Sequence, residues 1–291
     1  MTDLELIKLL PLMARTAGRP EITIGLIDGP VVKSHPDFER QNIRELPGGG
    51  GGVCVESRSA ACRHGTFVAG MLFGKRGSAG LAICPECSLL VRSIFPETVS
   101  SNGLLPSATP EELAAAIMEC VSAGARLLNL SAALVQLPSS RGERALEGAL
   151  DYASKRGVVV VVAAGNQGSV GGTVITRHPW VITVAACDLQ GKPLGDSNLG
   201  GSIGRRGLSA PGRGVTSLAT DGKALASGGT SVAAPFVTGA IALAWSEFPA
   251  ATAAQIRLAV AQAHGFRRAT VVPPLLNAWT IYQAMAAQSR K

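Results

Sequence analysis

Apolar positions along the chain change period several times, and each change marks an element. Residues 21–27 place Ile22, Ile24, Leu26 and Ile27 in a short run that ends at the turn residues Gly29 and Pro30. That run reads as a buried strand with Asp28 at its C-terminal end. Residues 88–94, 126–131, 158–163 and 181–186 repeat the signal, and 158–163 is so uniformly apolar that both of its faces must be covered. Between these runs the period becomes helical. Thr109-Pro110-Glu111-Glu112 supplies a cap, a proline in the first turn and two acidic residues for a helix to about residue 123. Residues 141–155 give another, stopped by Gly157. Further helices are predicted from His64 onward, over 231–244, from a Thr252 cap to 263, and after Pro274. Residues 3–13 carry Leu4, Leu6, Ile7, Leu9, Leu10 and Met13 at helical intervals, an amphipathic helix to be docked on the domain surface or on a partner. Strands alternating with helices of ten or more residues predict parallel βαβ units, with functional groups gathered at the strands' C-terminal ends.

Composition narrows the class. With 291 residues, 46% hydrophobic, 16% charged and 35 glycines, the chain suits a compact α/β protein. It is read as a lead-in over 1–20 followed by one domain over 21–291. No apolar run approaches the ~20 residues of a membrane span. Asp3 and Glu5 near the start do not fit the basic beginning of a secretory signal, so a cytoplasmic location is expected. The net charge is +7, but the basic residues are scattered and Arg205-Arg206 and Arg267-Arg268 are only pairs, so neither nucleic acid nor membrane is expected as a partner. Six cysteines stand at 54, 62, 84, 87, 120 and 187. Local bridges Cys54–Cys62 and Cys84–Cys87, free thiols, and a four-thiolate zinc site all remain open, although only one pair has CxxC spacing.

The strongest chemical signal is Gly228-Gly229-Thr230-Ser231-Val232-Ala233-Ala234-Pro235, where small residues clear space around one hydroxyl at a helix start. There the helix dipole and unmet N–H groups favour negative charge, which an acyl-transfer intermediate develops on its oxygen. A serine hydroxyl needs a base, and a carboxylate behind that base. Of the four histidines, His35 and His178 precede prolines and His264 lies by Gly265 near a helix end. His64, opening His64-Gly65-Thr66-Phe67-Val68-Ala69-Gly70, is the best candidate. Taken singly, a serine before a helix is a cap and an aspartate after a strand is a turn residue. Together, Ile27-Asp28-Gly29, His64-Gly65-Thr66 and Gly229-Thr230-Ser231 resemble the signature segments of the subtilisin-like serine proteases, in the same Asp, His, Ser order. Ala163-Ala164-Gly165-Asn166 resembles the family segment whose asparagine completes the oxyanion hole.

The resemblance covers roughly residues 21–250. It implies a three-layer α/β fold with a mostly parallel central sheet and helices on both faces. It also implies a Ser-His-Asp endopeptidase with Asp28, His64 and Ser231 as triad and Asn166 as oxyanion donor. A peptide or protein substrate would bind as an extended strand flanked by Ser101, Asn102 and Gly103 on one side and Leu130, Ser131, Ala132 and Ala133 on the other. Ala164 and Gly165 would form part of the S1 wall. Ala133 departs from the family glycine and implies a narrower S1 entrance; Phe67 replaces a common second histidine and implies a packing change. No cofactor is required by this chemistry. Many secreted members carry a calcium-binding insertion after the histidine helix. Here Gly74-Lys75-Arg76-Gly77 is short and positive, so calcium is not expected at that position, and sites elsewhere stay open. Asp28-Gly29-Pro30-Val31, the short N-terminus and the paired cysteines are similar to the proteases that trim cyanobactin-type peptide precursors. Limited precursor cleavage is therefore the expected role, with general intracellular proteolysis and a silent peptide-binding scaffold as alternatives.

Overall fold

A computed structural model describes residues 1–47, 54–95, 97, 108–131, 139–264 and 269–289. In chain order the elements begin with α1 (Asp3–Leu6), α2 (Leu10–Arg15), β1 (Thr23–Asp28), β2 (Asn42–Glu45), α3 (Ala60–Phe73) and β3 (Ser88–Ser93). The central part follows as α4 (Pro110–Ser122), β4 (Leu127–Leu130), α5 (Ser140–Lys155), β5 (Val159–Ala163), α6 (Val174–Arg177) and β6 (Val181–Cys187). Next come α7 (Gly201–Arg206), β7 (Leu208–Pro211), β8 (Val215–Leu218) and β9 (Ala224–Ser227). Three helices end the chain: α8 (Thr230–Glu247), α9 (Ala253–Ala263) and α10 (Ala278–Gln288).

Seven strands form one parallel sheet in the order β2-β3-β1-β4-β5-β6-β7, while β8 and β9 pair separately as an antiparallel ribbon. The alternation of side chains explains why the sheet is covered twice. Val159, Val161 and Ala163 of β5 point into a core built with α3 and α8, whereas Val160 and Val162 join a second core with α4 and α5. These are the three layers expected from the sequence. The strand order reverses at β1, with β3 on one side and β4 on the other. In open α/β sheets such a switch point opens a crevice beyond the strands' C-terminal ends. Register lines those ends up, since Asp28 pairs with Ser93, Ile27 with Leu130, and Leu130 with Val162.

The N-terminal segment differs from the single surface helix expected. It breaks at Lys8, whose φ is 53°, because Pro11 opens a second helix rather than continuing the first. Ile7, Leu9 and Leu12 are fully buried in the α8-side core, and Ala278 of α10 donates its N–H to the Ile7 carbonyl. The segment is thus part of the core. The histidine helix also starts earlier than its periodicity suggested: Ser59 caps α3 by accepting the Cys62 N–H, which places His64 in the second turn. Among the described residues, no helix is long and apolar enough to cross a membrane. The long apolar α8 is instead buried along almost its whole length.

Candidate active site

Asp28 ends β1, fully buried, and α3 lies directly across it. Two glycines permit this approach. A Cβ on Gly29 would run into the Ala61 carbonyl of α3, and a Cβ on Gly65 would run into the carbonyls of Gly29 and Pro30. The Asp-Gly and His-Gly pairs of the sequence are therefore two sides of one contact. It sets His64 Nδ1 2.6 Å from Asp28 Oδ1, which also accepts the Gly29 N–H at 2.6 Å. On the far side of the ring, His64 Nε2 lies 2.9 Å from Ser231 Oγ. Burial pulls the His64 pKa down, but the Asp28 charge and hydrogen bond outweigh it, and the net shift is upward. With Nδ1–H donated to the carboxylate, Nε2 faces the serine hydroxyl as an acceptor.

Ser231 stands in the first turn of α8. The N-cap, Gly229, has φ 102°, a left-handed conformation that suits glycine, and its α-carbon faces the Asn166 amide. The helix has no side-chain cap of its own. Asn166, three residues beyond β5, supplies one: its Oδ1 accepts the Thr230 N–H at 2.9 Å and the Thr230 hydroxyl at 3.1 Å. Thr230 Oγ1 in turn accepts the Gly165 N–H at 3.0 Å. With Oδ1 committed, the Asn166 Nδ2 is the atom left to donate, beside the helix N-terminus that bears the Ser231 N–H. The Asn166 amide is therefore set by Thr230, a residue quoted in the serine segment but given no role by sequence reasoning. Its hydroxyl was legible only as one small side chain among several.

Ser131, just beyond β4, is buried and accepts from Asn129 Nδ2 at 2.8 Å, while Asn129 Oδ1 accepts the Thr238 hydroxyl of α8 at 2.7 Å. This chain of contacts joins the predicted peptide-flanking segment to the helix of Ser231. Leu130, Ala164 and Gly165 lie buried at the strand ends. Ser101, Asn102, Gly103, Ala132 and Ala133 lie outside the described residues. Phe67 packs in the core. The other histidines are elsewhere: His35 Nδ1 caps a turn by accepting the Asp37 N–H, His178 meets Asp151, and His264 bonds the Val260 carbonyl.

The cysteines divide. Cys54 and Cys62 form a disulfide with Cα atoms 5.7 Å apart, tying the loop before α3 to its first turn. Glu97 sits against it, accepting the Val55 and Glu56 N–H groups, with Oε1 2.6 Å from Cys62 Sγ. Cys84 and Cys87 are buried free thiols, so that bridge is not made and the four sulfurs do not converge on one site. Burial pushes the thiols of Cys120 and Cys187 up to about 12, which keeps them protonated and inert. The Arg76 guanidinium donates to the carbonyls of Met13, Thr16, Ala82 and Ile83.

A buried carboxylate, an imidazole and a serine in one row, at the switch point of a parallel sheet and beside an oriented amide, define the class of subtilisin-type serine endopeptidases. A model of the subtilase family, peptidase S8, matches residues 19–272, and the chain belongs to that family. It is 31% identical over 242 residues to subtilisin DY of Bacillus licheniformis, covering 81% of each chain. It is 32% identical to a thermostable alkaline protease of Halalkalibacterium halodurans, covering 79% of this chain and 59% of that relative's length. Among solved structures, a mutant of the protease domain of PatA superposes with a TM-score of 0.83 at 28% identity, over 93% of this chain and 97% of that one. The prenylagaramide maturation protease PagA gives 0.80 at 26%, over 95% and 98%.

Proposed function

We propose that the protein hydrolyses peptide bonds through an acyl-enzyme on Ser231. The Ser231 Oγ attacks the scissile carbonyl carbon while His64 Nε2 takes its proton. The carbonyl oxygen, now an oxyanion, accepts from the Ser231 N–H and Asn166 Nδ2. His64 returns the proton to the leaving amine, the C–N bond breaks, and water deacylates the serine by the same route in reverse. Asp28 holds the imidazole tautomer and stabilises the imidazolium. The observation that carries this reading is the continuous row from Asp28 Oδ1 through both ring nitrogens to Ser231 Oγ, at 2.6 and 2.9 Å.

The substrate in this proposal is one or a few peptide precursors, cut at limited positions by a cytoplasmic peptidase whose domain over 21–291 takes the 1–20 segment into its core. Support comes from the likeness to PatA and to a protease named for prenylagaramide maturation. An extended peptide would lie between the 101–103 and 130–133 segments, with Ala164 and Gly165 on the S1 wall. No metal enters this mechanism, and with the Arg76 guanidinium on its four carbonyls calcium is not assigned to the loop after α3. Digestion of a diverse peptide library, read by mass spectrometry, tests the role. Cleavage restricted to a narrow sequence class is expected; cleavage after nearly every residue type would assign the protein to general degradation instead.

A further inference from the structure

At the opposite end of the sheet from the triad lies a cavity of about 420 Å³. Its walls are apolar: Trp180 and Ile182 where β6 begins, Leu208 where β7 begins, and Val260 on α9. Three arginines share it, Arg205 and Arg206 from the last turn of α7 and Arg257 from α9. Among the described residues no carboxylate lines the cavity and none of the three arginines pairs with one.

Two of these guanidiniums are held in place by contacts that leave charge and donors unmet. Arg257 stacks on Trp180 at 4.1 Å and donates to the Pro179 carbonyl at 2.7 Å. Arg206 donates to the Arg177 carbonyl at 2.7 Å. The Nε–H of each is buried and has no partner among the described residues. Burial first, and the Arg206 charge second, pull the Arg257 pKa down to about 10. A planar guanidinium without an anion is matched by a carboxylate, and apolar walls of this size by an aliphatic side chain.

We propose that this cavity is an exosite for a peptide segment bearing a carboxylate next to a bulky aliphatic side chain, contributed by the substrate outside its cleaved stretch. The proposal rests on the reading of the substrate as a peptide. Strand β6 spans seven residues between cavity and catalytic end, about 20 Å at the usual strand rise. A linker of about ten residues covers that gap. An acidic, apolar segment in the uncleaved part of a precursor would thus increase its local concentration at Ser231 without touching the triad.

The test uses calorimetric titration of full-length Ser231→Ala protein with acetyl-Glu-Leu-Glu-Leu-amide. Parallel arms use the same peptide with Gln for Glu, sodium phosphate, and decanoate. Saturable binding of the acidic peptide is expected, at least tenfold weaker for the Gln peptide and for Arg205→Glu or Arg206→Gln, the first an exposed position where folding is not at stake. In the Ser231 background those two substitutions should leave kcat/KM for a short chromogenic peptide unchanged. For a substrate with a distal acidic-aliphatic segment it should fall about tenfold. Equal binding of the Glu and Gln peptides, or indifference to both substitutions, overturns the exosite. So does decanoate or phosphate binding without peptide binding, which would assign a lipid or a simple anion. If the acidic peptide binds as expected while wild-type protein fails to label with a fluorophosphonate, the exosite stands and the protease reading fails.

Discussion

At the scale of single residues, the proposed mechanism makes the charge on Asp28 control when the site works. The His64 pKa is raised, so the ring is protonated below that value and cannot accept the Ser231 proton. Activity should therefore rise with pH through a limb above the ordinary imidazole range. The stability gained from the Asp28–imidazolium pair runs the other way: it is complete below the ordinary pKa and lost as pH passes the raised one. Asp28→Asn should lower kcat about 10⁴-fold and move the acidic limb of kcat/KM downward; an unmoved limb in the pH profile would separate Asp28 from the base. Asn166→Ala should lower kcat about 10² to 10³-fold with little change in KM, because the amide acts on charge that appears only in the transition state. Thr230→Val, which leaves Asn166 in place, should give a smaller kcat loss of the same kind. The meeting of Asp28, His64, Ser231 and Asn166 was legible because each sits in a short segment of small residues whose types follow from close approach. Thr230, Asn129 and Glu97 were not, since their roles depend on partners that lie 64, 109 and 35 positions away in the chain.

At the scale of elements, the contact of α3 with the end of β1 has no room for a methyl group at Gly29 or Gly65. Gly65→Ala should cost about 1 to 3 kcal/mol in denaturant unfolding, through overpacking, and should reduce kcat by displacing His64. The disulfide ties the same end of the helix to the loop before it. Closing a loop of that length stabilises a chain by about 2 to 3 kcal/mol. Reductant should accordingly lower the melting temperature of wild type and leave Cys62→Ser unchanged; equal melting of both with and without reductant would show that no bridge forms in solution. Strands and helices with strong periods, such as 158–163 and 141–155, were read within a residue or two of their observed ends. The short β2 and β7 were missed because an edge strand such as Asn42–Glu45 carries no apolar run, and Leu208–Pro211 ends in a proline. The break at Lys8 escaped periodicity because Leu9 and Leu10 keep the helical spacing across it.

At the scale of the whole molecule, one end of the sheet gathers the triad and the other holds a cationic, apolar cavity. Nothing in the sequence pattern foretells that cavity, because Trp180, Arg206 and Arg257 meet only once β6, α7 and α9 are packed together. The scattered arginines that argued against nucleic acid are thus in part collected by the fold. Calcium is the other whole-molecule question, since Arg76 fastens the N-terminal segment to the loop after α3. Activity and melting temperature should be unchanged by a chelator, while Arg76→Ala should lower stability by about 1 to 2 kcal/mol. A chelator that inactivates the wild type would assign a metal to another part of the molecule. The central claim, that Ser231 is an activated nucleophile, is tested most directly by a fluorophosphonate probe, which bonds to a serine oxygen whose proton a neighbouring base can take. Labelling of wild type and none of Ser231→Ala is the predicted result. Failure of folded wild-type protein to label, at a pH where His64 is neutral, would contradict it.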